Sequence, residues 1–286
     1  MHGKLSVSEV VALLFDEHRY DSPLSRKAVH KLLYFVKEEL DSERVTTDIP
    51  TFWYMYGTMT ATANTGVHTG GEPNDDPVIC DVAAANIDRS EGTIRRGRRA
   101  ASRALERYYD LGLEGLTDQM YDDAPYEIQR HYRRLDKQLG TADSAQMTLS
   151  FDRNAGPARE SLYDFIEDFP TDSFPDYEDD LHIWYRLMSA ELDSSEYDPK
   201  EAKKYSKTFW RLFCMELAVR ENDGLTREQI ERELSLDSLN DAKRQLRSLL
   251  RSWEREKAAA NARDDRISRR AADALVLPYI DFEVTG

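Results

Sequence analysis

The sequence predicts a mainly α-helical protein with a minor α+β character: a compact helical domain that contains a short β element, followed by a C-terminal helical region. Apolar residues recur at the three- and four-residue spacing of an amphipathic helix through most of the 286-residue chain. Capping patterns precede several of these stretches. Aromatic residues reach strand-like density in one place, residues 49–56. With 40% hydrophobic residues, the chain can form a core without disulfides or metals.

Two amphipathic helices are predicted at the N-terminus. Ser6 and Glu9 form a capping-box pattern that opens a helix extending to about His18. After a turn at residues 21–23, apolar side chains at helical spacing predict a second helix over residues 24–41. Because each helix has one apolar face, we expect the two to pack against each other. The apolar stripe of the second helix consists of Val29, Leu32, Leu33, Val36 and Leu40.

The stretch FWYMYGTMT, residues 52–60, places four aromatic rings before Gly57. This composition predicts a strand over residues 49–56 that ends at Gly57. The following residues, 58–77, are rich in Thr, Ala, Gly and Asn and are predicted to form a loop. Alternation along the strand directs Phe52, Tyr54 and Tyr56 to one face, and Trp53 and Met55 to the other.

Helical patterns return after this loop, at residues 93–109, 116–120 and 126–139. Asp198 as the N-cap and Pro199 at the first helical position predict a further helix. Thr226 with Gln229 predicts a short helix, and an apolar stripe that ends at Trp253 predicts a longer one. The final segment VLPYIDFEV is expected to form a terminal strand.

Changes of charge along the chain predict three parts. Residues 152–198 hold fourteen acidic and three basic residues, whereas the two signs are nearly balanced from residue 199 onward. Three prolines also interrupt the acidic stretch. We therefore predict a helical domain, an acidic and partly docked connector, and a C-terminal helical region, at residues 1–145, 146–198 and 199–286 respectively.

The net charge of −15 combines abundant carboxylates with an excess of arginine over lysine, 28 to 11. This composition is typical of proteins adapted to high salt, so we interpret the acidity as adaptation to the environment. The alternative is a basic partner. The first apolar run is short and contains Glu9, which predicts neither a signal peptide nor a membrane span, and a cytoplasmic location is expected. Cys80 and Cys214 have no neighbouring cysteine or histidine that would predict a disulfide or a zinc site.

No catalytic motif stands out. Pro175-Asp176 followed by Glu201 and Lys203 fits the PD…ExK pattern of metal-dependent nucleases, which need the acids and the lysine on adjoining strands. Glu201 and Lys203 instead fall in the first turn of a capped helix. The chain has no P-loop, GxSxG elbow or paired-histidine motif. We therefore expect a protein that is not an enzyme and uses no metal or cofactor.

Two arginine-rich helices offer an alternative function, a nucleic-acid-binding regulator. Arginines of this density can hold phosphates, and the second group lies where the second half of a helix-turn-helix would lie. The other interpretation is that they pair with the chain's own carboxylates. The first group consists of Arg95, Arg96, Arg98, Arg99 and Arg103, and the second of Arg244, Arg247 and Arg251.

Three segments in order resemble the Panacea domain family, which is also known through the SocA-like antitoxins. The first is KLLYF, residues 31–35, on the second predicted helix. The second is the aromatic stretch that ends in Tyr56-Gly57, and the third runs from Leu116 to Tyr126. The resemblance covers residues 6 to about 140.

This resemblance implies a mainly helical, non-catalytic domain that binds a protein, either as an antitoxin that neutralises a toxin or as an adaptor that presents a partner to a protease. The partner of such a module is expected to be encoded nearby. Tyrosine and tryptophan suit contact surfaces because they bury a large area and keep a polar tip. The partner-binding residues implied by the matching segments are Tyr34, Trp53, Tyr54, Tyr56, Gly57, Tyr121, Pro125 and Tyr126.

Overall fold

The computed structural model describes residues 4–21, 23–69, 77–146, 155–194 and 197–261, with side chains for all of these except 69, 141–146 and 261. The predicted mainly helical fold is confirmed. Within the described ranges, none of the helices combines the length and apolar character that a membrane span requires. The α-helices are α1 (Val7–Glu17), α2 (Arg26–Ser42), α3 (Glu91–Tyr108), α4 (Gly112–Asp122), α5 (Glu127–Gln146), α6 (Gly156–Glu167), α7 (Glu178–Leu192), α8 (Pro199–Arg220), α9 (Arg227–Glu233) and α10 (Leu239–Asn261).

Several helix starts follow the capping rules. Ser6 and Glu9 form the predicted capping box of α1, and Thr226 with Gln229 forms that of α9. At the start of α8, the carboxylate of Asp198 accepts a hydrogen bond of 2.9 Å from the backbone N–H of Lys200. Glu201 and Lys203 therefore lie on a helix, as the sequence predicts, and not on a strand.

The strands are short and pair two by two. They are β1 (Leu5–Ser6) with β2 (Thr47–Asp48) in parallel, β3 (Thr51–Trp53) with β4 (Thr58–Thr60) antiparallel, and β5 (Val67–Thr69) with β6 (Val78–Cys80) antiparallel.

The predicted strand over residues 49–56 is wrong in its second half. The extended segment stops at Trp53, and the chain reverses so that Trp53 pairs with Thr58. Met55 and Gly57 both have positive φ angles, 48° and 125°, which an extended strand does not allow. The predicted alternation of rings between two faces therefore does not continue past Trp53. The predicted loop over residues 58–77 is also wrong in part, because it contains β4 and β5.

Contacts group the described residues into two compact units. The first consists of the residues up to Pro125 together with Cys214–Leu239, and the second of Tyr126–Phe213 together with the residues from Asn240 onward. These groups differ from the three consecutive parts predicted from charge, because each unit is assembled from separate stretches of the chain.

The core of the first unit lies between α1, α2 and α3. The predicted apolar stripe of α2 is confirmed, since all five of its residues are at most 1% exposed. Both N-terminal helices pack mainly on α3 and touch each other only slightly, so the expected direct pairing of α1 with α2 is minor. Small residues allow the close approach of α3: a Cβ atom at Gly97 would lie 2.6 Å from a methyl group of Leu13.

The core of the second unit is aromatic. The rings of Trp184 and Phe209 stack with centroids 4.5 Å apart, and those of Tyr132 and Trp210 at 4.1 Å. Phe165 on α6 packs edge-on against Trp184 at 5.0 Å. The stretch predicted as an acidic connector thus contributes two helices, α6 and α7, to a hydrophobic core. The predicted strand at VLPYIDFEV lies outside the described residues.

Candidate functional site

The reversal between β3 and β4 is the most unusual piece of backbone in the first unit. We call residues 54–57 the aromatic turn. The backbone N–H of Tyr54 donates to the carbonyl of Gly57 at 3.0 Å and closes the turn. Positive φ at Met55 costs conformational energy because its side chain crowds the backbone. A turn with this geometry persists only where its surroundings fix it.

Two side chains from distant helices hold the carbonyl groups of the turn. Lys31 on α2 is 7% exposed, and its Nζ donates to the carbonyl of Tyr56 at 2.6 Å. The hydroxyl of Tyr121 on α4, 1% exposed, donates to the carbonyl of Met55. Both donors are buried, whereas the carbonyls that they support belong to residues that are partly exposed.

Gly57 and Cys214 complete the support. A Cβ atom at Gly57 would lie 2.8 Å from the sulfur of Met120, so the turn packs too closely on α4 for a side chain at this position. The Cys214 thiol of α8 is fully buried, which raises its pKa well above the usual value, and a hydrogen bond with the backbone of Met55 opposes this effect. A protonated thiol in this place serves packing and not nucleophilic chemistry.

The opposite edge of the hairpin is anchored by the residues that follow α8. The backbone N–H of Trp53 donates to the carbonyl of Glu221 at 3.2 Å, and that of Asp223 donates to Thr51 at 2.9 Å. The carboxylate of Asp223 accepts from the Nζ of Lys37 at 2.5 Å and from the backbone N–H of Thr51 at 3.0 Å. Burial raises the pKa of Asp223, but these hydrogen bonds outweigh burial, and the net shift is downward.

The structure brings five of the eight predicted partner-binding residues together around this turn. Trp53 and Tyr121 are 5% and 1% exposed, and their rings meet edge-on at 5.2 Å. A direct contact role does not fit their burial. Gly57 is also buried, and Tyr54 is half-buried. Tyr56 is the ring of the turn that faces outward, with 38% of its surface exposed.

The other three predicted residues lie elsewhere. Tyr34 on α2 is half-buried, and burial raises the pKa of its hydroxyl, with Glu38 acting in the same direction. Pro125 is exposed at the end of the first unit. Tyr126 belongs to the second unit, where its ring meets Phe174 edge-on at 5.4 Å.

Most of the predicted arginines of α3 are engaged within the protein. Arg98 pairs with Asp16 and Glu17 of α1. The next two pair with carboxylates at the end of α2: Arg99 with Glu43 at 2.7 Å, and Arg103 with Glu43 at 2.9 Å and Glu39 at 3.7 Å. Arg95 is exposed and Arg96 is half-buried. These ion pairs support the interpretation that the arginines balance the chain's own carboxylates.

Of the predicted arginines of α10, Arg247 forms an ion pair with a buried carboxylate, whereas Arg244 and Arg251 are exposed. Arg247 donates from Nε to the carboxylate of Asp180 at 2.6 Å, and Asp180 is only 3% exposed. Burial raises the pKa of Asp180, while the hydrogen bond and the charge of Arg247 lower it. Arg247 is thus part of the structure of the second unit. Arg244 pairs with Asp241 at 3.1 Å with both side chains largely exposed, and Arg251 is exposed.

The sequence points to the rings of the aromatic turn and, through the third matching segment, to Tyr121, but not to the other groups that hold the turn. Lys31 lies in the KLLYF segment of a predicted helix, and no local signal in the sequence places it beside the turn. Met120, Cys214 and Asp223 also lack such a signal, since their partners are far away in sequence.

Comparison with protein-family models, curated proteins and solved structures gives no significant match. Residues of the three segments quoted above meet at the aromatic turn, where Lys31 and Tyr121 both donate to backbone carbonyl groups.

Proposed function

We propose that this chain is a non-catalytic, antitoxin-like module that binds a partner protein, with the aromatic turn in its contact surface. The observation that supports the proposal is an exposed tyrosine, Tyr56, on a turn whose carbonyl groups accept hydrogen bonds from the buried side chains of Lys31 and Tyr121. Binding through a flexible loop loses affinity because the loop must become ordered, whereas a turn fixed in advance avoids this loss. A tyrosine presented in this way has the properties of an interface anchor.

The antitoxin role accounts for the resemblance and for the expected gene arrangement. A toxin encoded next to this gene would be the partner, and the complex would form in a salt-adapted cytoplasm. The strongly acidic surface then suits a partner with a basic face.

Co-expression tests this proposal directly. The neighbouring gene is expressed alone and together with this chain, and growth is measured. We expect the neighbour to slow growth and this chain to restore it, with the two proteins co-purifying at the salt concentration of the host. A neighbour that is harmless, or a complex that never forms, contradicts the antitoxin role.

Two matched variants connect the function to the turn. Tyr56→Ala removes the exposed ring of the turn, whereas Tyr163→Ala removes a ring of the second unit that is 49% exposed. We expect Tyr56→Ala to weaken partner binding by about tenfold or more, and Tyr163→Ala to leave it unchanged. Equal effects of the two variants would mean that the turn is not the contact surface.

The same purification tests the nucleic-acid alternative. If nucleic acid co-purifies in place of a protein, and is released by added salt and by Arg95→Glu with Arg244→Glu, the protein-binding proposal is overturned.

A further inference from the structure

A cleft of about 300 Å³ lies beside the first turns of α2 in the first unit. Val29, Val67 and Val78 form apolar parts of its wall, and Arg26, His30 and His68 supply polar groups. The cleft uses none of the groups that support the aromatic turn, so it is independent of the proposed contact surface.

The protonation of His30 is fixed by the fold. The backbone N–H of Thr60 in β4 donates to Nδ1 of His30 at 3.2 Å in a buried position. Nδ1 must therefore carry no proton, and the proton of the neutral ring lies on Nε2. Burial, with the positive charges of Arg26 and Lys31, lowers the pKa of His30 to about 4, so the ring is neutral at physiological pH.

Arg26 then has a donor without a suitable acceptor. Its Nε lies 3.4 Å from Nε2 of His30 and points toward it. A neutral imidazole accepts through one ring nitrogen only, and Thr60 already uses it. Two N–H groups thus face each other at the cleft, and an acceptor placed beside both would satisfy them. Among the described residues, no carboxylate lies within ion-pair distance of the Arg26 guanidinium.

The surrounding charges favour an anion at this point. Arg26 is the first residue of α2, whose backbone dipole is positive at this end. The N-cap Ser25 occupies one of the free N–H groups, that of Ala28, at 3.3 Å. His68, which also lines the cleft, lies 2.9 Å from the carboxylate of Asp81, measured from its Nε2 atom.

We propose that this cleft binds a small ligand with one oxyanionic group, a carboxylate or a phosphate, which accepts hydrogen bonds from Arg26 and from Nε2 of His30. The apolar remainder of the ligand lies against the valines. A guanidinium and a neutral imidazole N–H are a strong donor pair for either oxyanion.

Isothermal titration with inorganic phosphate and with butyrate measures binding and separates the two anions. Arg26→Met removes the guanidinium, and Lys27→Met removes one positive charge from the adjacent, exposed position as a matched control. We expect at least one anion to bind the wild type, binding to be about tenfold or more weaker in Arg26→Met, and Lys27→Met to bind within about twofold of the wild type. His30→Gln, which retains an acceptor and a donor, should weaken binding less than Arg26→Met.

A carboxylate of the chain itself is the alternative ligand to be tested, and Glu72, Asp75 and Asp76 lie in sequence between β5 and β6. Their combined replacement by Gln, Asn and Asn provides the deciding arm. Binding only in this triple variant would mean that the chain fills its own cleft and would overturn the proposal. So would the absence of binding in all proteins, or an equal loss in Arg26→Met and Lys27→Met. Thermal melts of each variant identify any that fail to fold.

Discussion

Replacing Lys31 with methionine tests whether the hydrogen bond from its ammonium group to the carbonyl of Tyr56 stabilises the aromatic turn. Methionine has nearly the length of the lysine stem, so the space is still filled while the ammonium that donates to the Tyr56 carbonyl and to the sulfur of Met120 is lost. Hydrogen bonds from charged groups contribute about 1.5–3 kcal/mol, and the carbonyl of Tyr56 lies in a partly exposed residue where water can replace part of this. We therefore expect a loss of about 2 kcal/mol in the free energy of unfolding.

Urea unfolding followed by circular dichroism provides the assay, with Lys27→Met as the control for loss of one charge from α2. The midpoint should fall for Lys31→Met and stay near that of the wild type for Lys27→Met. Partner binding should also weaken, because Tyr56 is no longer held in one position. A change below about 0.5 kcal/mol, or equal changes in both variants, would refute the supporting role of Lys31.

Three further predictions concern the turn, the cleft and the surface. Gly57→Ala should lower stability by about 2 kcal/mol or more, whereas Gly224→Ala, with positive φ but no atom within 4 Å of its Cβ, should cost clearly less in the same urea assay. The folded pKa of His30, about 4, lies below its unfolded value near 6.5, so its stabilising effect is present above pH 6.5 and is lost as pH falls toward 4. The stability difference between wild type and His30→Gln should therefore shift by up to about 3 kcal/mol across this window; a pH-independent difference would contradict the burial of a neutral ring. Raising KCl from about 0.1 M to about 2 M should raise the melting temperature by screening carboxylate repulsion, and a flat or falling profile would contradict salt adaptation.

The helices were predictable because their signals are local. The stripe of α2 and the capping boxes of α1 and α9 depend on residues three or four positions apart, and the fold keeps them. The aromatic turn was not predictable, since the groups that hold Met55 and Tyr56 lie 66 and 25 residues away in sequence. Without these groups, a run of aromatic residues does favour a strand.

The acidic stretch combines a charged surface with buried apolar faces. A count of charge over residues 152–198 averages the exposed and buried faces of α6 and α7. The buried faces carry Phe165 and Trp184 into the aromatic core, and the carboxylates lie mostly outside. Asp180 and Glu191 are the exceptions: Asp180 forms an ion pair with Arg247, and Glu191 accepts a hydrogen bond from the backbone N–H of Asp198 and pairs with Lys257.

Lys31 and Tyr121 lie 90 residues apart in sequence, and both donate to the aromatic turn. Lys31 and Tyr121 are each needed to hold one backbone turn, so they can occur together for stability whatever the partner is. Tyr56 is different, because its backbone carbonyl accepts the hydrogen bond from Lys31 while 38% of the residue's surface is exposed. Substitution of a supporting residue such as Lys31 therefore tests the fold, whereas substitution of Tyr56 tests the function. We expect the Tyr56→Ala protein to keep wild-type stability and to lose partner binding. This result would show that binding depends on the exposed ring and not on the stability of the fold, which is the evidence that the antitoxin proposal requires.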